Sequence, residues 1–110
     1  MAVRTRRLWS PTAVGTAGGS LYTCPSGTTA IIKSVGVWPQ ASTVTGLDFF
    51  IGAIAAGNHF RHVVLPNSGD VALEGLFWVL QPGDVLRAST SGVGNATVAG
   101  FGAQLLGVAP

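Results

Sequence analysis

Apolar residues in this chain come in short bursts, and within most bursts they alternate with small or polar ones. Seven segments rich in Val, Ile, Thr and aromatics show this habit: residues 20–24, 29–38, 43–53, 60–65, 70–80, 84–91 and 96–106. Alternation with a period of two is the mark of strands, and short strands at regular spacing predict a sandwich or barrel. Turn signals separate them. Pro25-Ser26-Gly27 follows the first segment, and Pro39 stops the second, because proline cannot donate to a ladder. Pro66-Asn67-Ser68-Gly69 and residues 91–95 are further turns. In Gln81-Pro82-Gly83-Asp84, proline presets φ at the second position and glycine accepts a positive φ at the third, which predicts a type II turn. No segment carries a helical stripe, and residues 53–58 hold one helical turn at most.

These elements predict an all-β protein: an antiparallel β-sandwich, jelly-roll-like, of about seven to eight strands over residues 20–110. Greek-key and meander orders share the same turn signals, so strand order stays open. Residues 1–19, with Gly15, Gly18 and Gly19, predict a flexible entry in the form of an extended N-terminal arm.

The faces of the strands differ in kind. Ala99, Phe101, Ala103 and Leu105 alternate with Val98, Gly100, Gly102 and Gln104, as in a half-buried strand. Leu47, Phe49 and Ile51 alternate with Asp48, Phe50 and Gly52. Over residues 70–80 both faces are apolar: Val71, Leu73, Phe77 and Val79 on one, Ala72, Leu76, Trp78 and Leu80, with Glu74 among them, on the other. A sandwich strand needs one apolar face. The second is expected to meet another subunit, the alternative being a cover supplied by a loop of the same chain. Phe50, Leu76 and Trp78 are therefore candidate protein-interface residues.

Composition sharpens this expectation. The chain has 110 residues, enough for one domain, and a compact fold of its size exposes roughly 5,700 Å². Charged residues are 9% against 47% hydrophobic, where about 25% charged is usual. Either a membrane or other subunits would cover such a surface. No run approaches the ~20 apolar residues of a spanning helix, and the basic N-terminus lacks the apolar core of a secretory signal. Cover by partner subunits is the expectation. Cys24 is the sole cysteine, so an intrachain disulfide is excluded, and its expected place is the core.

The formal charge of +2 is local. Arg4, Arg6 and Arg7 supply half of the six basic residues; beyond them three basic residues stand against four acids. Arg4, Arg6, Arg7 and Trp9 are candidates for docking onto an acidic neighbouring subunit, against a merely solvated terminus. On that reading, deleting residues 1–9 spares the fold and weakens docking. The body lacks a basic face, which argues against nucleic acid.

Candidate chemistry is sparse. His59 and His62 point to opposite faces of a regular strand and lack a third ligand at metal spacing, so they read as surface or interface histidines. Asp70 and Asp84 follow turns, and Glu74 is expected to pair with Arg87 or Lys33. No phosphate loop and no Gly-x-Ser-x-Gly elbow occur. We assign no catalytic, cofactor or metal residue and expect no enzyme. An exposed tryptophan platform would suggest sugar binding, but Trp9, Trp38 and Trp78, with Phe60, are more simply core residues.

One stretch is familiar. Leu21-Tyr22-Thr23-Cys24-Pro25-Ser26-Gly27-Thr28-Thr29-Ala30-Ile31-Ile32-Lys33-Ser34-Val35, then Val64-Leu65-Pro66, then Leu80-Gln81-Pro82-Gly83-Asp84-Val85-Leu86-Arg87-Ala88 resemble the LYTVPAGKTAIIKSI and LxxGDxLRA patterns of small tailed-bacteriophage virion proteins. The chain departs from them at Cys24 and at residues 26–28. The resemblance implies a β-sandwich structural subunit of the virion, assembled in the host cytoplasm in symmetric copies, a trimer by type. It implies a capsid decoration or cement protein that binds neighbouring capsid subunits. The alternatives are a tail-associated protein (minor tail or tail fibre) or a carbohydrate-binding module at the tail tip.

Overall fold

The computed structural model describes residues 2–40, 43–65, 70–92 and 94–106; the side chains of residues 2–6 and 106 lie outside that description, as does the turn expected at 66–69. Nine strands are described: β1 (Ala2–Val14), β2 (Gly19–Thr23), β3 (Thr28–Pro39), β4 (Val44–Ile51), β5 (His59–Val64), β6 (Val71–Leu73), β7 (Trp78–Leu80), β8 (Val85–Gly92) and β9 (Ala96–Leu106). They form two antiparallel sheets. One runs β1-β9-β3-β6, with β7 also on β3; the other runs β2-β8-β4-β5. β6 and β7 share one strand position, so eight positions in this order make the expected jelly roll. Apart from the β4–β5 and β6–β7 links, each connection carries the chain from one sheet to the other.

The predicted turns close as their chemistry requires. Asp84 N donates to Gln81 O at 3.0 Å with Gly83 at φ 87°, and the Asp84 carboxylate accepts from Gln81 N at 2.8 Å. Thr28 N returns to Pro25 O at 3.3 Å, with Gly27 at φ 75°. The two turns are tied together, since Cys24 N donates to Asp84 O and Gly83 N to Cys24 O, both at 2.9 Å. Cys24 itself is buried. Residues 56–58 form a single 3₁₀ turn.

The core lies between the sheets. Ala30, Ile32, Val35 and Val37 of β3 face Leu47 and Phe49 of β4 and Leu86 and Ala88 of β8 across it. The parity of β3 changes midway, from even to odd positions. A register shift at Lys33 against β9 adds the residue that makes this possible.

The same level resolves the two apolar faces of residues 70–80. The segment is not one strand. Gly75 takes φ 67° and breaks it, and Leu76 N bonds Lys33 O at 3.0 Å. Val71 and Leu73 stand opposite Val37 and Val35, whereas Trp78 and Leu80 stand opposite Ile32 and Ala30. Directly opposed residues share a face, so Val71, Leu73, Trp78 and Leu80 all point inward. Gly75 resets the phase, so the inward set is Val71, Leu73, Trp78 and Leu80, while Phe77 and Val79 remain as exposed apolar residues.

The N-terminus is the larger correction. Residues 2–14 are extended, but they form the longest strand of the sheet and pair along β9 rather than projecting freely. Leu8, Trp9 and Val14 are buried members of the core. The flexible entry shrinks to Gly15–Gly18, where Gly18 N closes a turn on Gly15 O at 3.0 Å.

Candidate interaction surface

The outer face of the five-stranded sheet is apolar. Alternation in β9 is as expected, but its faces are used the other way round from a strand that hides its greasiest side. Val98, Gly100, Gly102 and Gln104 stand opposite the core-facing Val37, Val35, Ile32 and Ala30. Gly100 leaves room for Trp9, whose ring lies 2.1 Å from where its Cβ would stand, and Gly102 lets the β3 backbone at Ile31 approach. Gln104 donates to Tyr22 Oη at 2.6 Å in the interior. Phe101 and Leu105 are thereby turned outward, in register with Ser34 and Thr29, while Val79 extends the row through Ile31 to Ala103. Phe101 is 41% exposed and Val79 37%. Trp38 lies on this face with its ring across Gly36, half-buried rather than raised as a platform. Arg7, opposite Phe101, and the bulge residue Lys33 are exposed basic groups beside it.

The outer face of the four-stranded sheet is polar and centred on Asp48. His59 Nε2 lies 3.0 Å and His62 Nδ1 2.6 Å from the same carboxylate oxygen, Oδ1. Ser91 Oγ donates to Oδ2 at 3.4 Å. The two histidines were expected on opposite faces. Phe49 is paired with Arg61 and Phe50 with His59, so Phe60 is an extra residue. This bulge brings positions three apart onto one side of the sheet.

The hydrogen bonds assign the tautomers. Asp48 Oδ1 and Arg61 O, the latter 3.1 Å from His59 Nε2, are both acceptors, so His59 carries its proton on Nε2. His62 carries one on Nδ1. An acid–base relay would need a hydroxyl against the free ring nitrogen, but Ser91 addresses the carboxylate instead. Among the described residues no cavity opens here, and no three His, Cys, Asp or Glu side chains are placed to share a metal ion. The cluster is a cross-strand clamp joining β4, β5 and β8. Asp48→Ala should cost about 1 kcal/mol of stability, since the bonds are half-exposed. Nitrogen-15 NMR should then show the His62 proton moved to Nε2; an unmoved proton would contradict the clamp.

The candidate interface residues divide. Trp9 is buried by its own chain, with Nε1 donating to Val98 O at 3.0 Å, and belongs to the core. Phe50 is also buried, on the outer side of β4, where the His59 ring packs 5.2 Å away and Arg87 is its β8 neighbour. The loop after β4 crosses this face: Arg87 Nη1 donates to Gly52 O at 2.8 Å, and Ile54 reaches Gly18. Phe50 is thus buried within its own chain, with the His59 ring on it. Leu76 and Trp78 are half-buried against the core. Arg7 is exposed; Arg4 and Arg6 are placed only by register, opposite Gln104 and Gly102, and their side chains lie outside the described residues. The expected pairing of Glu74 with Arg87 or Lys33 is not formed: among the described residues the ion pairs are those of Asp48 with His59 and His62.

Phe101, Val79 and Phe77 were not singled out from the sequence. The signal for Phe101 was the glycine pair on the opposite face of β9, which is too small to fill a core alone. No protein-family model, curated protein or solved structure matches the chain.

Proposed function

We propose that this chain is a structural subunit of a tailed-phage particle, a capsid decoration protein that works by docking onto neighbouring virion proteins. The observation that carries the reading is the apolar outer face of the five-stranded sheet. Phe101 and Leu105 of β9, Ile31 of β3 and Val79 of β7 lie on it, interleaved with Ser34 and Thr29, with Arg7 and Lys33 beside them. An apolar patch on a chain so poor in charge marks a contact surface. The basic flank fits a partner with acidic residues around its own apolar patch. The resemblance over residues 21–35 and 80–88 supplies the phage context, and self-association in symmetric copies is part of the same proposal.

The test uses purified particles of the phage encoding the chain. Wild-type chain should be present in them in many copies, on the capsid by antibody labelling. Phe101→Asp, at a 41% exposed position of β9, should cost about 1–2 kcal/mol, leave the chain folded by circular dichroism and abolish incorporation. Full incorporation of that variant, or absence of the wild-type chain from particles, would overturn the proposal. Labelling at the tail would move the protein to the tail-associated alternative.

A further inference from the structure

Along one side of the sandwich the two sheets end in β5 and in β6–β7, and aromatic rings bridge the seam between them. Phe60 of β5 meets Trp78 of β7 edge-on, with ring centroids 4.9 Å apart, and Trp78 rests on Phe49 at 5.0 Å. The outer ring is open to solvent: Phe60 is 39% exposed. Each lip of the seam carries an exposed charge of opposite sign. Arg61 follows Phe60 on β5; Glu74 sits in the link between β6 and β7. Neither forms an ion pair among the described residues.

We propose that this seam is a contact surface for a second copy of the same chain, related by a two-fold axis. This rests on the reading of the chain as an assembly subunit and names one of its contacts. The argument is charge complementarity. A partner of one sign would suit one lip and oppose the other. A two-fold rotation exchanges the lips, so Arg61 of each copy faces Glu74 of the other, and the aromatic rings meet in the middle. Because Phe60 touches Trp78, the lips form one continuous patch, and a continuous self-complementary patch pairs with itself isologously. Tryptophan, phenylalanine and arginine with an apolar centre and a charged rim are also the usual make-up of a protein contact.

The experiment is sedimentation equilibrium of the full chain with a charge-swap cycle. The wild-type chain should dimerise. Arg61→Glu and Glu74→Arg should each raise the dimer Kd about tenfold or more, by setting like charges against each other. The double variant should recover wild-type affinity, whereas Arg7→Glu, which shifts net charge as much as Arg61→Glu but sits on β1, should leave the dimer unchanged. Phe60→Ser, at the part-exposed ring of the seam, should weaken the dimer without altering the far-ultraviolet spectrum. A monomeric wild-type chain, association indifferent to the single swaps, or no recovery in the double variant would overturn the proposal. The phage reading fails separately: a chain that dimerises by this cycle but is absent from particles keeps the seam and loses the virion role, and a monomer found in particles does the reverse.

Discussion

Phe49→Ala is expected to remove about 3–5 kcal/mol of unfolding free energy. A domain of this kind holds roughly 5–15 kcal/mol in total, so the variant should stand close to unfolding at ambient temperature. Phe49 is fully buried and is the bulkiest of the fully buried side chains. β4 is an interior strand, held on one side by β8 and on the other by β5, so its backbone cannot move in to fill the space. Trp78 and Phe60 pack against the ring at 5.0 and 6.5 Å and would lose a common support. Phe60 is part-exposed and free to lean inward, which places the loss at the lower end of that range. Phe49→Leu, which keeps much of the volume, should cost less. Urea unfolding checks this: the midpoint should fall with an unchanged m-value. A loss under 1 kcal/mol would mean that the two sheets are not packed through this ring.

Trp9→Ala is expected to cost a similar amount, about 3–5 kcal/mol, and it separates two views of the N-terminus. A frayed terminal residue would cost less than about 0.5 kcal/mol. Trp9 instead fills the space above Gly100, donates to Val98 O at 3.0 Å and lies 6.1 Å from the Tyr22 ring. Alanine would empty that space and leave the Val98 carbonyl without its indole donor. Gly100→Ala should damage the same contact from the other side, since a methyl there would stand 2.1 Å from the indole and force the buried ring to shift. Deletion of residues 1–9 should therefore destabilise the fold, not merely weaken docking. Thermal unfolding of the three variants decides the matter. Wild-type stability in Trp9→Ala would return the first nine residues to the status of a loose arm.

The candidate surface was legible in kind but not in place. Low charge and surplus apolar strand surface pointed to apolar residues left at the surface, and Phe101, Phe77 and Val79 are exposed. Yet Phe50, on the outer side of β4, is buried within the chain with His59 packed on its ring, a contact that depends on the bulge at Phe60 and so has no mark in the alternation. The Asp48 cluster was hidden by a bulge at Phe60, since no glycine or other breaker announces it.

Local chemistry alone determined the turns, the strands they bound and the class of fold. Proline and glycine set φ at residues 82–83 and 25–27 whatever surrounds them, and alternation forces one face of each strand inward. Tertiary structure decided which face. Gly75 and the Lys33 bulge reset the phase of two adjoining strands together, and Trp9 could claim the inner side of β9 because Gly100 had left it empty. That choice turned Phe101 and Leu105 to solvent. It depends on pairing between the first and last strands, about 90 residues apart in sequence, and a periodicity read a few residues at a time carries no information over that distance.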